Sequence, residues 1–589
     1  MQAIKDKDRS RLIAAAMQRI PCDLTVENAR FVNVITGEIY PASVDILDGV
    51  VIRVREEGET TAVPSRDTYD AGGRYLVPGF IDTHVHIEST MMIPENFGRT
   101  VALCGTTAVM TDPHEIANVM GTEGVRFMTE NAKQAPIRIY TLTPSCVPSV
   151  VGAEGCGAAF LAEDIKEMFK MDGVIGVAEV MDSIGVVNDD ARMHDIVQAG
   201  LDAGLFIQGH SPALAGKEMT AYRIAGPMSC HESRNGDDVR RRLRMGMHVN
   251  IQSSSLSFGL LPKLLEGLEG MRWKDNVSIC TDDIHAKDIL ETGHINRVIK
   301  HALEVGTEPL DAIRFATYNA AREFGFTDLG AIAPGFAADF QLLDELDGRN
   351  PGTVFVGGKL IVEGYELVDK TEPAFSGFPN TVKLDQVTGS EVFRLKAPQG
   401  CGKTVRTGVI TSGGTVMCHL EYTELPVKDG FVDISQDPDL YFISICNRYG
   451  SGDMTVAVFR GFGLEKGAVA STVSHDSHNF TVVYKDPEDA YAAAKELIRT
   501  GGGITCVENG QVLSTLPLPV AGLMSGLPAE KVALEVEKTE NAISGLCGGK
   551  KGMILKTAIL ALACIPCTVI TDKGLWDGRG RKFCQQFES

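Results

Sequence analysis

No stretch of this 589-residue sequence is both long and free of charge. The N-terminal segment MQAIKDKDRSRLIAAAMQRI is amphipathic and lacks the apolar run of a secretory signal. The most apolar late run, Met553 to Ile570, is interrupted by Lys556 and followed by Asp572 and Lys573, so a buried core segment is expected there rather than a membrane span. Internal repeats and low-complexity tracts are missing, which leaves out solenoids and long linkers. Positive charge is in deficit, with 56 Lys and Arg against 77 Asp and Glu, a formal charge of -21 and a pI near 5.1. That balance argues against nucleic acid or an anionic membrane surface as a standing partner and favours a small substrate. A disulfide framework is missing too: the 14 cysteines are scattered, several of them inside apolar runs (Cys104, Cys280, Cys446, Cys564), as suits reduced thiols in a cytoplasmic protein. The single C-x-x-C, Cys564-Ile565-Pro566-Cys567, has no partner pair, and no redox or metal role is expected of it.

What is present is an ordinary globular composition, 44% hydrophobic and 23% charged, in a chain long enough for about two to four domains. Residues 1–20 read as a helix. From Asp23 to Asp70 short runs with near-alternate apolar positions (Val32, Val34; Val44, Ile46; Val50, Val51) predict strands of a small β-sheet too meagre to stand alone. After Leu76 the rhythm becomes strand, loop, helix. Eight strands are expected, at Val77 to His86, Thr106 to Asp112, Ile137 to Ser145, Val174 to Val180, Leu205 to His210, Met228 to Glu232, His248 to Ser253 and Val277 to Asp283, with helices such as Ala117 to Lys133, Asp190 to Ala203, Asp237 to Met245 and Leu260 to Leu268 between them. That count suits a (β/α)8 barrel of the TIM type. A doubly wound open sheet is the competing α/β architecture, and the absence of G-x-G-x-x-G after the first strand weakens it.

The expected organisation is therefore residues 1–75 as a helix and the first half of a composite β-domain, 76–328 as the barrel, 329–374 as the second half of the β-domain, and 375–589 as a further α/β domain. The last of these holds strands such as Leu440 to Cys446 and Phe480 to Tyr484 and helices such as Pro487 to Arg499 and Pro528 to Leu546.

The chemistry begins at Phe80-Ile81-Asp82-Thr83-His84-Val85-His86. Alternate side chains of a strand share a face, so His84 and His86 project together and can offer two nitrogens to one cation. A bare H-x-H is as often a polar pair at a strand edge, and a single His ending a strand is usually structural. In a barrel, however, only the C-terminal strand ends meet in one site. Those ends carry His84 and His86, Glu179 on strand four, His210 on strand five, His231 on strand six and Asp282 on strand eight. Four imidazoles and two carboxylates suit a two-metal hydrolytic site, with Glu179 bridging ions about 3.5 to 4 Å apart and a shared water ionised near neutral pH. His84, His86 and Asp282 are expected on one ion, His210 and His231 on the other. This donor set admits Zn²⁺, Fe²⁺ or Mn²⁺.

The PGFIDTHVH run resembles the first barrel strand of the amidohydrolase superfamily, and G-x-I-x-x-G-x-x-A-D at 330–339 resembles the segment that closes its barrels. Within that superfamily HVHIESTM, TDPHEIANVMG, TPSCVPS, GHSPALAG, CHES and TDD resemble the adenine deaminase family. SHDSHN at Ser474 to Asn479 and the α/β tail resemble that family's extra C-terminal domain, so the likeness covers nearly the whole chain. Relatives that open cyclic amides carry a carboxylated lysine at the end of strand four, where this chain has Glu179. The zinc nucleobase deaminases of another fold need H-x-E and P-C-x-x-C; His86-Ile87-Glu88 meets the first and nothing meets the second.

The resemblance implies hydrolysis of adenine to hypoxanthine and ammonia in purine salvage, two divalent ions with Mn²⁺ expected, and a homodimer. Asp282 is then expected to carry the proton to the leaving amine, and Glu232 to protonate the purine N1 with Glu88 and Asp283 behind it; the structural alternative for Glu232 is a partner to Arg234 or Arg240. Asp112 and His114 are expected at the purine pocket, or on a further ion, with a helix start as the alternative. His475 and His478 are expected over the substrate, with a subunit contact as the alternative. The other readings of the whole chain are hydrolysis of a different aminated ring or cyclic amide on the same centre, and a non-catalytic scaffold.

Overall fold

The computed structural model describes residues 3–588 other than 213, 256, 376, 413–416 and 566, and leaves out the side chain of Phe258. Five strands, Phe80–Val85, Thr106–Thr111, Arg138–Thr143, Val174–Val180 and Phe206–Gly209, form one parallel sheet in chain order. Ser229–Cys230, His248–Gln252 and Val277–Cys280 form a second parallel sheet. The two sheets join at both edges. Met228 N donates to Ile207 O at 2.8 Å, while at the other seam Asp282 N donates to His84 O at 2.9 Å and Val85 bridges Asp282 in parallel. The result is a TIM-type barrel whose strand ends converge. Phe80–Val85, Thr106–Thr111 and His248–Gln252 are buried at every position, as strands covered on both faces must be, polar residues such as Asp82, His84 and Asn250 included.

All eight expected barrel strands are present, and the helices depart from expectation in detail. The helix expected over Ala117 to Lys133 is two, His114–Met120 and Thr122–Ala132, separated by Gly121 at φ 63° and ψ -144°. Likewise the run from Pro309 to Phe324 divides into Pro309–Phe315 and Tyr318–Glu323 where the Thr317 hydroxyl turns back to Ile313 O at 2.7 Å. The N-terminal helix is shorter than 1–20: it runs Arg9–Ala16, capped by Asp8, and Gln18 at φ 55° ends its turn, with residues 1 and 2 outside the described residues.

Tyr75–Pro78 joins the two distant β segments. It pairs antiparallel with Phe340–Leu343 and, at Tyr75 and Leu76, parallel with Leu24–Asn33, in a nine-stranded sheet built from residues on both sides of the barrel. Asp339, the last residue of the G-x-x-A-D run, accepts from Arg138 of the third barrel strand at 2.6 and 3.0 Å and from Gly357 N at 2.7 Å. Beyond residue 375 a ten-stranded sheet with Leu440–Cys446 near its middle is flanked by helices Pro487–Thr500 and Ala529–Leu546. Its apolar face shares a core with the barrel: Met92 and Phe97 belong to the same cluster as Leu518, Val520 and Met524. The late apolar run is core, in helix Met553–Ala558 and strand Thr568–Thr571, and no described helix is long and apolar enough to cross a membrane. Cys564 is partly buried and Cys567 buried, and Pro566 between them lies outside the described residues.

The barrel interior beneath the strand ends is polar. The side chain of Glu323 is fully buried there, accepting from Asn250 Nδ2 at 2.9 and 2.8 Å and from Ser278 Oγ at 2.9 Å, and burial pushes its pKa up to about 8. Unfolded, the group titrates near 4.3. Between those values the folded chain holds a proton that the unfolded chain has released, so stability falls as pH rises through the window. The melting temperature of the wild type should decline from pH 5 to pH 8, and that of Glu323→Gln should decline less; parallel curves would refute the assignment.

Candidate metal centre

The first barrel strand carries its ligand geometry in the backbone beneath. Asp82, fully buried, accepts from His84 N and Thr281 N at 3.2 Å each and lies 3.2 Å from His294 Nε2. It pins the first and last strands together and is no ligand itself. Two residues on, His84 Nδ1 faces Gln208 Oε1 at 2.7 Å, and Gln208 Nε2 donates to Thr83 O at 3.0 Å, so the amide is oriented with its oxygen toward the imidazole. His86 Nδ1 faces the Asp112 carbonyl at 3.0 Å. Both partners are acceptors, which places the ring proton of each histidine on Nδ1 and leaves each Nε2 with a free lone pair. Those two Nε2 atoms each lie 3.3 Å from Asp282 Oδ1, and His84 Nε2 has no hydrogen-bond partner among the described residues.

Glu179 divides its carboxylate between two sets of rings. Oε2 lies 2.6 Å from His210 Nδ1 and 3.2 Å from His231 Nε2, while Oε1 lies 3.5 Å from His86 Nε2 and 3.7 Å from His114 Nδ1. The rings of His84 and His231 stack at 4.0 Å, which brings the two halves into contact. Asp282 holds its place at φ 57°, a left-handed conformation that costs a non-glycine residue about 1 kcal/mol or more and recurs at functional sites. Its Oδ2 accepts from Gln252 Nε2, whose amide also reaches Glu232 Oε1 at 3.4 Å.

The electrostatics are those of a cluster built to hold positive charge. Burial opposes ionisation of Glu179, but the His210 and His231 imidazoles outweigh it and hold the carboxyl well below its usual range. Burial likewise disfavours the charged form of His210, and Glu179 more than reverses this, pushing its pKa up to about 10. A proton on such a ring is displaced when a cation binds, so cation affinity should weaken as pH falls. Imidazole nitrogens, carboxylate oxygens and an uncompensated Nε2 fit a borderline divalent ion.

All six expected ligands thus come together. His84 lies with His231 and Asp282, His86 with Asp282 and Asp283, Glu179 with His210 and His231, and His86 also with Asp112, His114 and Glu179. Glu232 is half-buried and takes the Gln252 amide, while Arg240 donates to Glu269 O at 2.8 Å instead. Glu88 is buried in the turn Ile87–Thr90, accepts from Ile116 N at 3.3 Å, and is pushed up to about 8 by burial and by Glu115. Asp283 takes the Ser89 hydroxyl at 2.5 Å. Asp112 does not start a helix: Pro113 occupies that cap without a side-chain bond. His475 and His478 approach Glu115 rather than the ligands, at 3.6 and 3.8 Å, and His478 is fully buried within the single chain, which removes it from any subunit contact.

Sequence reasoning missed the amides. Gln208 lies two residues before His210 on the same strand, so the alternation that selected His84 and His86 also marks it. Gln252 ends the seventh strand, which carries no ligand. Replacing Gln208 by Leu should weaken retention of bound metal about 10- to 100-fold in competition with a chelator. Gln208→Glu, which keeps an acceptor for His84, should restore most of it; equal retention in all three proteins would show that the contact orients nothing.

Residues 75–361 match the amidohydrolase family, and residues 415–582 match the adenine deaminase C-terminal domain. Adenine deaminase 2 of Carboxydothermus hydrogenoformans is 38% identical over 590 aligned residues, covering 98% of each chain. The adenine deaminase of Moorella thermoacetica is 37% identical and covers 96% of each. That of Klebsiella pneumoniae subsp. pneumoniae is 35% identical over 98% of this chain and 95% of its own. With both family models matched and relatives 35 to 38% identical over nearly the whole chain, the chain belongs to the adenine deaminase family of the amidohydrolases.

Proposed function

We propose that this protein hydrolyses adenine to hypoxanthine and ammonia, as a step of purine salvage, on a pair of divalent ions for which Mn²⁺ is the first choice. The observation that carries the reading is Glu179, whose two oxygens face two separate sets of imidazoles. Near-complete alignment with adenine deaminases supplies the substrate. Bound there, two divalent ions would polarise the substrate and lower the pKa of a water between them.

The remaining steps belong to the protein. Asp282, with Oδ1 toward both histidines of the first strand and Oδ2 fixed by Gln252, is placed to take the proton of the attacking water and pass it to the leaving amine. Glu232, one amide away through Gln252, is assigned to the purine N1, with Glu88 and Asp283 as the carboxylates behind it. The C-terminal segment 474–479 excludes water from above. Asn479 Nδ2 donates to Gly155 O at 2.8 Å and Lys573 Nζ to Glu154 O at 3.1 Å, holding the loop after the third strand, whose Ser145 in turn donates to Glu179 O at 2.7 Å.

The same reading takes 76–328 as a complete (β/α)8 catalytic barrel set into a composite β-domain of 1–75 and 329–374, with 375–589 as a C-terminal α/β domain. The joint nine-stranded sheet supports that division. Fourteen cysteines with no disulfide among the described residues support a reducing, cytoplasmic setting. A homodimer completes the reading, carried over from the family.

Mn²⁺-loaded protein should release ammonia from adenine; release from a dihydropyrimidine or an amide but not from adenine would transfer the chain to the runner-up reading of a cyclic amidase. His84→Ala should abolish both metal loading and turnover. Glu232→Gln should lower turnover about 100-fold or more while the metal stays bound, and loss of metal in that variant would make Glu232 a ligand.

A further inference from the structure

Asp112 and His114 follow the end of the second barrel strand and carry polar atoms with no hydrogen-bond partner among the described residues. Asp112 is 1% exposed, and neither of its carboxylate oxygens has a hydrogen-bond partner among the described residues. The Nδ1 of His114, itself buried, also lacks one. A buried carboxylate with both oxygens unsatisfied is rare because desolvation is uncompensated. Here it is aimed at other donors. Asp112 Oδ2 is 3.4 Å from His114 Nδ1, and His114 Nδ1 is 3.7 Å from Glu179 Oε1. Atoms that bind one ion at about 2.1 Å lie roughly 3 to 3.5 Å from each other. The spacing is therefore closer to that of ligands around a cation than to that of a hydrogen-bonded pair.

The other donors are accounted for without these two residues. His84 and His86 converge on Asp282 Oδ1, and His210 and His231 on Glu179 Oε2. His86 Nδ1 is committed to the Asp112 carbonyl, so the His86 ring, edge-on to His114 at 4.6 Å between centroids, orients the strand-two residues as well as facing the pair. What remains is Asp112 with His114, beside the Glu179 oxygen that also faces His86, in a group of four residues whose donor atoms all lie within 4.8 Å of one another.

We propose that Asp112, His114 and Glu179 Oε1 form a third divalent-cation site beside the pair. Two carboxylates and one imidazole suit Mn²⁺, Fe²⁺ or Zn²⁺. The site goes beyond the two-ion reading and shares only Glu179 with it.

Protein loaded with Mn²⁺, freed of unbound ion by gel filtration and subjected to elemental analysis, should carry about three ions per chain. An anomalous difference map at the manganese edge should show a peak between Asp112, His114 and Glu179. Asp112→Asn and His114→Gln should each remove that peak and one equivalent of Mn²⁺, leaving two. A wild-type map with density at the pair and none at Asp112 overturns the proposal, and so does an unchanged count in both variants. Should either variant fail to fold, the wild-type map decides alone. Neither measurement uses adenine, so a missing third ion leaves the deaminase reading intact, and a failed adenine assay leaves the count standing.

Discussion

A single buried carboxylate sets the terms for the rest of this molecule. Glu179 lies in the barrel mouth among the imidazoles of His86, His114, His210 and His231, and its ionisation there is sustained only by those rings or by cations they share. Five strands must therefore end at the same height, and each ring must present the correct nitrogen. Gln208 and the Asp112 carbonyl do this for His84 and His86. Asp82 does it for the backbone, by tying His84 to Thr281.

The tail is part of that constraint and not an appendage. Asn479 and Lys573 fasten the loop after the third strand, and His475 and His478 reach Glu115 beside the second. The Ser89 hydroxyl lies 3.1 Å from Glu115 and 2.5 Å from Asp283, so a line of polar contacts runs from the tail to the neighbour of Asp282. A shared apolar core in which Met92 and Phe97 pack with Leu518, Val520 and Met524 keeps the two parts from separating.

Much of this was legible in the residues. Period-two alternation selected His84 and His86, and the ends of apolar runs selected Glu179, His210, His231 and Asp282, because barrel strands bury both faces and leave only their ends for chemistry. Less legible were features decided by contacts distant in sequence. The break at Gly121 follows from its backbone angles and from Ala158, whose Cβ a side chain there would meet at 3.1 Å. Gln208 and Gln252 looked like ordinary strand residues until their partners were in view. His475 and His478 could be placed on the barrel rim only once the tail was docked, since the pattern of one segment does not report what packs on it.

The last seam of the barrel is closed by the backbone of the very residue whose carboxylate faces the ligands of the first strand. Asp282 N reaches His84 O, and Asp282 Oδ1 lies between His84 and His86. A cation held by these side chains would work as a rivet at the rim of a seam that Asp82 and Thr83 fasten further down, through Thr281 N and Ile279 O. Resistance to heat and occupancy by metal would then be two readings of a single equilibrium, and stripping the ions would loosen the cylinder at the rim where its first and last strands end.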